Sequence, residues 1–182
     1  VADRLLLIGM MGAGKSTVAR LAAGRLGWTW LDTDTEVART AGSSVADLFA
    51  CHGETYFRQQ EAEALQGVLR RDGNLVVSVG GGAVLDETNR ARLRAAGTVV
   101  WLRARPETLV ERVRDGAGRP LLAGAGPEDR TDTLRALDAA RRPLYAELAD
   151  EVIDVDTLTA PAVADRLLDA VGRGAPDRGV HP

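Results

Sequence analysis

Apolar residues in this chain gather into five short runs, Arg4–Ile8, Trp28–Leu31, Leu75–Val79, Thr98–Leu102 and Glu151–Val155, each rich in Leu, Val, Ile or Trp. Runs of that length and composition read as buried strands. Between them the apolar positions return at helical spacing over Lys15–Leu26, Glu54–Leu69, Asp86–Ala95, Pro106–Arg114 and Asp132–Leu148, with a last stretch near Pro161–Val171. Strand and helix alternate, which predicts an α/β fold of three layers, a five-stranded parallel sheet with helices on both faces.

The first strand run leads straight into Gly9-Met10-Met11-Gly12-Ala13-Gly14-Lys15-Ser16-Thr17, and a helical pattern follows at once. The spacing is G-x-x-x-x-G-K-S/T, a phosphate-binding loop. Its glycines let backbone N–H groups turn inward, and the helix that follows presents its positive end to phosphate. Lys15 is expected to reach the β and γ phosphates, and the Ser16 hydroxyl to ligate Mg²⁺. Of 23 basic residues Lys15 is the only lysine. A compact ammonium fits beneath a tight loop where a broad guanidinium fork does not.

The 182 residues suit a single domain, expected over 1–172 with a Gly/Pro-rich flexible tail at 173–182. Cys51 is the sole cysteine and no apolar run reaches membrane-spanning length, so a cytoplasmic protein without a membrane partner is expected. The net charge of −3 and pI near 5.5 argue against nucleic-acid backbone as the main partner and favour small anionic ligands.

Two connections are too elaborate to be mere links. One, about residues 33–74, holds Ser44 to Phe49 and the long Glu54–Leu69 pattern and suits an acceptor-binding insertion. The other, about 115–129, sets glycines on both sides of Arg119-Pro120-Leu121-Leu122 and suits a mobile lid. Asp32 and Asp34 close the second strand run, where ligands of open parallel sheets bind, and a spacing of two in a straight strand puts both carboxylates on one face. One carboxylate would serve Mg²⁺ through its water shell, the other an acceptor hydroxyl. The plain alternative is a solvated strand end or a helix cap. Arg58 and Glu61, three apart on one helix, let the carboxylate hold the guanidinium still for a substrate carboxylate; a surface ion pair is the ordinary alternative. Gly80, Gly81 and Gly82 permit close backbone approach to a ligand. Arg141 precedes Pro143, whose place in a helical pattern implies a kink there. Trp28, Trp30 and Trp101 are expected in the core.

Together these features resemble shikimate kinase, a member of the nucleoside-monophosphate-kinase-like group of P-loop folds, over roughly residues 3–171. The ordered set carries the resemblance: the loop, Asp32-Thr33-Asp34, Phe57-Arg58 with Glu61, Gly80-Gly81-Gly82-Ala83, Arg119-Pro120-Leu121-Leu122, and Arg141 before Pro143-Leu144-Tyr145. It implies transfer of the ATP γ-phosphoryl group to the 3-hydroxyl of shikimate, on the route to chorismate and the aromatic amino acids, by a monomer using Mg²⁺. It further implies that Gly12, Ala13, Gly14, Lys15, Ser16 and Thr17 hold the phosphates, and that Ser16 and Asp32 serve the metal. Asp34 acts as base or orienter, Arg58 and Arg141 clasp the carboxylate, Gly81 with its neighbours Gly80 and Gly82 offers backbone to the acceptor, and Arg119 stabilises the moving phosphoryl group. Two departures stand out: Val79 occupies a position where many members carry Thr, and no Arg follows the fifth strand. Adenine contact is therefore assigned to Arg114.

The rivals are a gluconate or nucleoside-monophosphate kinase of similar fold, and a nucleotide-dependent switch. Two arginines for one carboxylate with an aspartate for neighbouring hydroxyls suit a hydroxylated acid better than a nucleobase, and acceptor features have no place in a switch.

Overall fold

The computed structural model describes residues 3–113, 122 and 126–172. Five strands, β1 (Arg4–Ile8), β2 (Thr29–Asp32), β3 (Leu75–Ser78), β4 (Thr98–Arg103) and β5 (Glu151–Asp154), form one sheet in the order β2-β3-β1-β4-β5, with every pairing parallel. β1, β3 and β4 lie inside the sheet between helices, so their Leu, Val and Ile residues are buried on both faces, each worth about 1.5–3 kcal/mol. Edge strand β2 is wetter. Trp30 there is exposed, contrary to its expected core position, whereas Trp101 is buried and Trp28 packs against the core.

The helices are α1 (Lys15–Leu26), α2 (Thr33–Ala41), α3 (Val45–Leu69), α4 (Glu87–Ala96), α5 (Pro106–Arg112), α6 (Pro127–Leu148) and α7 (Ala160–Gly172). Three depart from expectation. α2 was not anticipated: its only large apolar residue is Val37, and its threonines are poor helix formers. It forms because Asp32 caps it, Asp34 and Glu36 lie in its first turn, and Gly42 at φ 62° closes it. α3 extends the expected Glu54–Leu69 helix back to Val45 across a break at Gly53, which sits at φ 79° and ψ 176°. α6 begins at Pro127 rather than at residue 132, so the segment expected as a lid ends sooner, and the helix runs through Pro143 as one element.

Registry brings the chemistry together. Asp32 pairs with Ser78, and Ser78 with Leu7, so the carboxyl ends of β2, β3 and β1 lie side by side where the Gly9–Thr17 loop begins. Leu122, within the expected lid, is buried in the core; the rest of 114–125 lies outside the described residues.

Candidate active site

The loop after β1 turns on glycines with positive φ at Gly9, Gly12 and Gly14. At Gly12 a side chain would also collide with Val113 beyond α5, its added carbon lying 2.7 Å from the Val113 side chain. Lys15 Nζ folds back over the loop and donates to the carbonyls of Gly9 (2.9 Å) and Met10 (3.0 Å), which holds the ammonium above the start of α1. Gly12, Gly14, Lys15, Ser16 and Thr17 line a cleft of about 540 Å³. Ala13 does not: its methyl is buried and its N–H donates to Met10 O.

Ser16 Oγ donates to Asp32 Oδ2 at 2.6 Å and lies 3.2 Å from Ser78 Oγ. The other Asp32 oxygen accepts the N–H groups of Asp34 and Thr35. Asp32 is thus both the helix cap and the partner of Ser16. Asp32 and Asp34 do meet at the cleft, but not as neighbours on a strand face: Asp32 ends β2, and Asp34 sits in the first turn of α2. Between them buried Thr33 accepts the N–H of Gly80 at 2.8 Å, tying α2 to the end of β3. Thr33 and Ser78 were both overlooked; the signal for Ser78 was a hydroxyl residue alone in a strand of Leu and Val.

None of Gly80, Gly81 and Gly82 sits in the left-handed φ region. Their lack of side chains makes room for other groups. A Cβ on Gly80 would lie 2.4 Å from Glu61 Oε1 and 2.6 Å from Asp34 Oδ1. On Gly82 it would overlap the Arg58 guanidinium, and on Gly81 it would press on Gly9 O with Tyr145 and Arg141 behind. Gly81 and Gly82 line the cleft; Gly80, its N–H bonded to Thr33, braces it from behind.

Arg58 donates through Nη1 to buried Glu61 (2.8 Å), and through Nη2 (3.0 Å) and Nε (3.3 Å) to one oxygen of Glu54. Arg141 is buried at the cleft floor one turn before Tyr145 along α6, both side chains lying behind Gly81, while neighbouring Arg142 turns away to Asp138. Tyr145, fully buried, donates to Gly81 O at 2.6 Å, and burial raises its pKa so that it stays a donor. Phe49, Phe57 and Val45 supply an apolar wall, with the two phenyl rings 4.5 Å apart. Arg112, also overlooked, reaches the nucleotide end of the cleft and donates to Val155 O. Arg114 and Arg119 lie outside the described residues.

The carboxylates here are costly. Burial, then Asp32 and Glu61, push Asp34 up to about 6 from an ordinary 3.8, against Lys15 and Arg58, although its carboxylate is still wetted from the cleft. Burial also raises Glu61, with Arg58 opposing. The oxygens of Ser16, Asp32 and Ser78 are hard donors at the foot of the phosphate loop and fit Mg²⁺ held by one or two protein groups plus phosphate and water. Among the described residues no cluster of three or more His, Cys, Asp or Glu could cage a metal alone, and no helix is long and apolar enough to cross a membrane.

Comparison with known proteins gives one consistent result. The shikimate kinase family model matches residues 11–172. A shikimate kinase of Symbiobacterium thermophilum is 47% identical over 168 residues, 91% of this chain and 94% of that one. One from Moorella thermoacetica is 45% identical over 167 residues, 92% of this chain and 93% of that one. Among solved structures, the shikimate kinase of Acinetobacter baumannii in complex with shikimate superposes with a TM-score of 0.89 at 35% identity, covering 95% of this chain and 94% of that one.

A carboxylate whose pKa is raised on folding costs stability once it ionises. The cost of Asp34 is absent below the unfolded value near 3.8, grows as pH rises, and is complete above about 6. In the metal-free and nucleotide-free protein, Asp34→Asn should therefore gain about 1–2 kcal/mol at pH 7.5, allowing for water in the cleft, a rise in Tm of about 3–6 °C. The gain should vanish by pH 4. Thermal unfolding across that range checks it; an equal gain at pH 4 and pH 7.5 would contradict the assignment.

Proposed function

The chain belongs to the shikimate kinase family, and from that premise we propose how its own residues perform the reaction. The reaction is transfer of the γ-phosphoryl group of ATP to the 3-hydroxyl of shikimate, giving shikimate 3-phosphate and ADP, in chorismate and aromatic amino acid biosynthesis. The observation that carries the reading of the site is the meeting of Arg58 and Arg141 with Asp34 in one cleft beyond the phosphate loop. Two guanidiniums for a carboxylate and a carboxylate for hydroxyls match a hydroxylated ring acid. The Phe49 and Phe57 wall suits its ring.

In this reading the N–H groups of the Gly12–Thr17 loop and the start of α1 bind the phosphates, and Lys15 leaves its two carbonyls to meet the β and γ phosphates. Ser16, with Asp32 behind it, holds Mg²⁺, which when bound neutralises charge on the phosphates. Arg58 and Arg141 fix the shikimate carboxylate, Gly81 and Gly82 border its ring, and Asp34 hydrogen-bonds the 3-hydroxyl. As the oxygen attacks the γ-phosphorus, its proton passes to Asp34 and ADP leaves with the bridging oxygen. A pKa raised to about 6 makes Asp34 a better acceptor than an ordinary aspartate while leaving it ionised at pH 7.5. Arg112, which lines the cleft and precedes the Val113 packed against Gly12, shares the adenine-side role with Arg114. Residues 33–74 act as the acceptor-binding region, about 115–125 as a closing lid, and Arg119 meets the moving phosphoryl group. A monomer is proposed as the working unit, and an exposed free Cys51 fits a reducing cytoplasm.

ADP release with shikimate, gluconate, quinate and nucleoside monophosphates tests the acceptor: shikimate alone should support rapid turnover, and equal use of gluconate would overturn the assignment. Arg58→Lys and Arg141→Lys should each lose about 1.5–3 kcal/mol of transition-state binding, roughly 10- to 150-fold in kcat/KM for shikimate, with ATP affinity nearly intact. Unchanged shikimate kinetics in both would remove the carboxylate clasp. Mg–ATP should also shield Lys15, the only lysine, from an amine-acylating reagent, whereas shikimate alone should not. Peptide mass mapping reads this directly, and unprotected Lys15 would contradict its place under the phosphates.

A further inference from the structure

The guanidinium of Arg58 is held along two edges by two glutamates of very different character. Glu61, on Nη1, has a side chain 3% exposed, so that pair is desolvated and costly to break. Glu54, on Nε and Nη2, has a side chain 54% exposed. Pairs of that kind contribute little and exchange readily with water. The Nε–Nη2 edge is also a side on which a planar fork binds a carboxylate through two parallel hydrogen bonds. Glu54 covers it with a single oxygen, at 3.3 and 3.0 Å.

Glu54 also has somewhere to go. It directly follows the break in α3 at Gly53, so it begins a fresh helical segment whose first N–H groups favour a carboxylate. We infer that Glu54 is a built-in competitor for the acceptor's carboxylate: it holds the Nε–Nη2 edge of Arg58 until the acceptor arrives, and the acceptor's carboxylate displaces it. The inference rests on the clasp role proposed for Arg58 above. Its consequence is selectivity. An acceptor without a carboxylate cannot exchange for Glu54, and stray monoanions must compete with a tethered rival, at the cost of some affinity for the correct acceptor.

The test compares the full chain with Glu54→Gln, Glu54→Ala and Glu63→Gln at saturating Mg–ATP. Glu63 sits on the same helix but bonds Gln59 and Gln60, so its variant controls for loss of one negative charge. Removing the competitor should lower the shikimate KM about twofold to fivefold in both Glu54 variants, with kcat within about twofold and Glu63→Gln like wild type. A KM that rises in the Glu54 variants would make Glu54 a positioning residue for Arg58, and an unchanged KM, or an equal fall in Glu63→Gln, would equally overturn the inference. A wild-type protein that releases no ADP in response to shikimate would instead sink the functional reading itself.

Discussion

Side chains are excluded from three consecutive positions at the end of β3, and the acceptor half of the cleft depends on that exclusion. A Cβ on Gly80 would meet Glu61 and Asp34, one on Gly81 the loop carbonyl of Gly9, and one on Gly82 the guanidinium of Arg58. Each glycine therefore admits groups from different elements, so α2, α3, α6 and the phosphate loop converge on one short stretch of backbone. Thr33 and Tyr145 fasten that stretch from either side through Gly80 N and Gly81 O. The strand register then fixes its distance from Ser16 and Asp32.

Charge is the second constraint. Three carboxylates, Asp32, Asp34 and Glu61, share a cleft with Lys15, Arg58 and Arg141. Asp34 and Glu61 sit above their ordinary pKa because burial outweighs the nearby cations. Such a site is destabilising before ligands bind. That is the expected trade for groups prearranged toward a polyhydroxy acid and a polyphosphate.

Contiguous signals were legible in the sequence. The phosphate loop, all five strands and the Glu54–Leu69 helix follow from local pattern. What required the third dimension was the purpose of individual residues. Asp32 and Asp34 were grouped correctly for the wrong reason, because α2 is a weak helix former made helical by its own cap. The glycines after β3 were read as making room for ligand, whereas Gly80 and Gly82 make room for the protein's own side chains. Ser78 and Arg112 carry no motif; only strand pairing and the packing of α5 against the loop bring them to the cleft, and Thr33, though inside a motif, shows its role only through its bond to Gly80 behind the cleft. Trp30 follows the same logic, since nothing in its apolar run marks β2 as an edge strand.

The most direct measurement of this account is Gly82→Ala. The backbone there, φ −92° and ψ −13°, accepts alanine without strain, and the atoms nearest the new methyl are those of the Arg58 guanidinium, the far end of a flexible side chain. The protein should still fold and bind Mg–ADP as before, with a Tm lowered by several degrees because the displaced guanidinium leaves buried Glu61 without its partner. Its shikimate KM should rise by about tenfold or more, because the displaced guanidinium can no longer meet the carboxylate. An alanine variant with wild-type stability and an unchanged shikimate KM would contradict the claim that this glycine exists to seat Arg58.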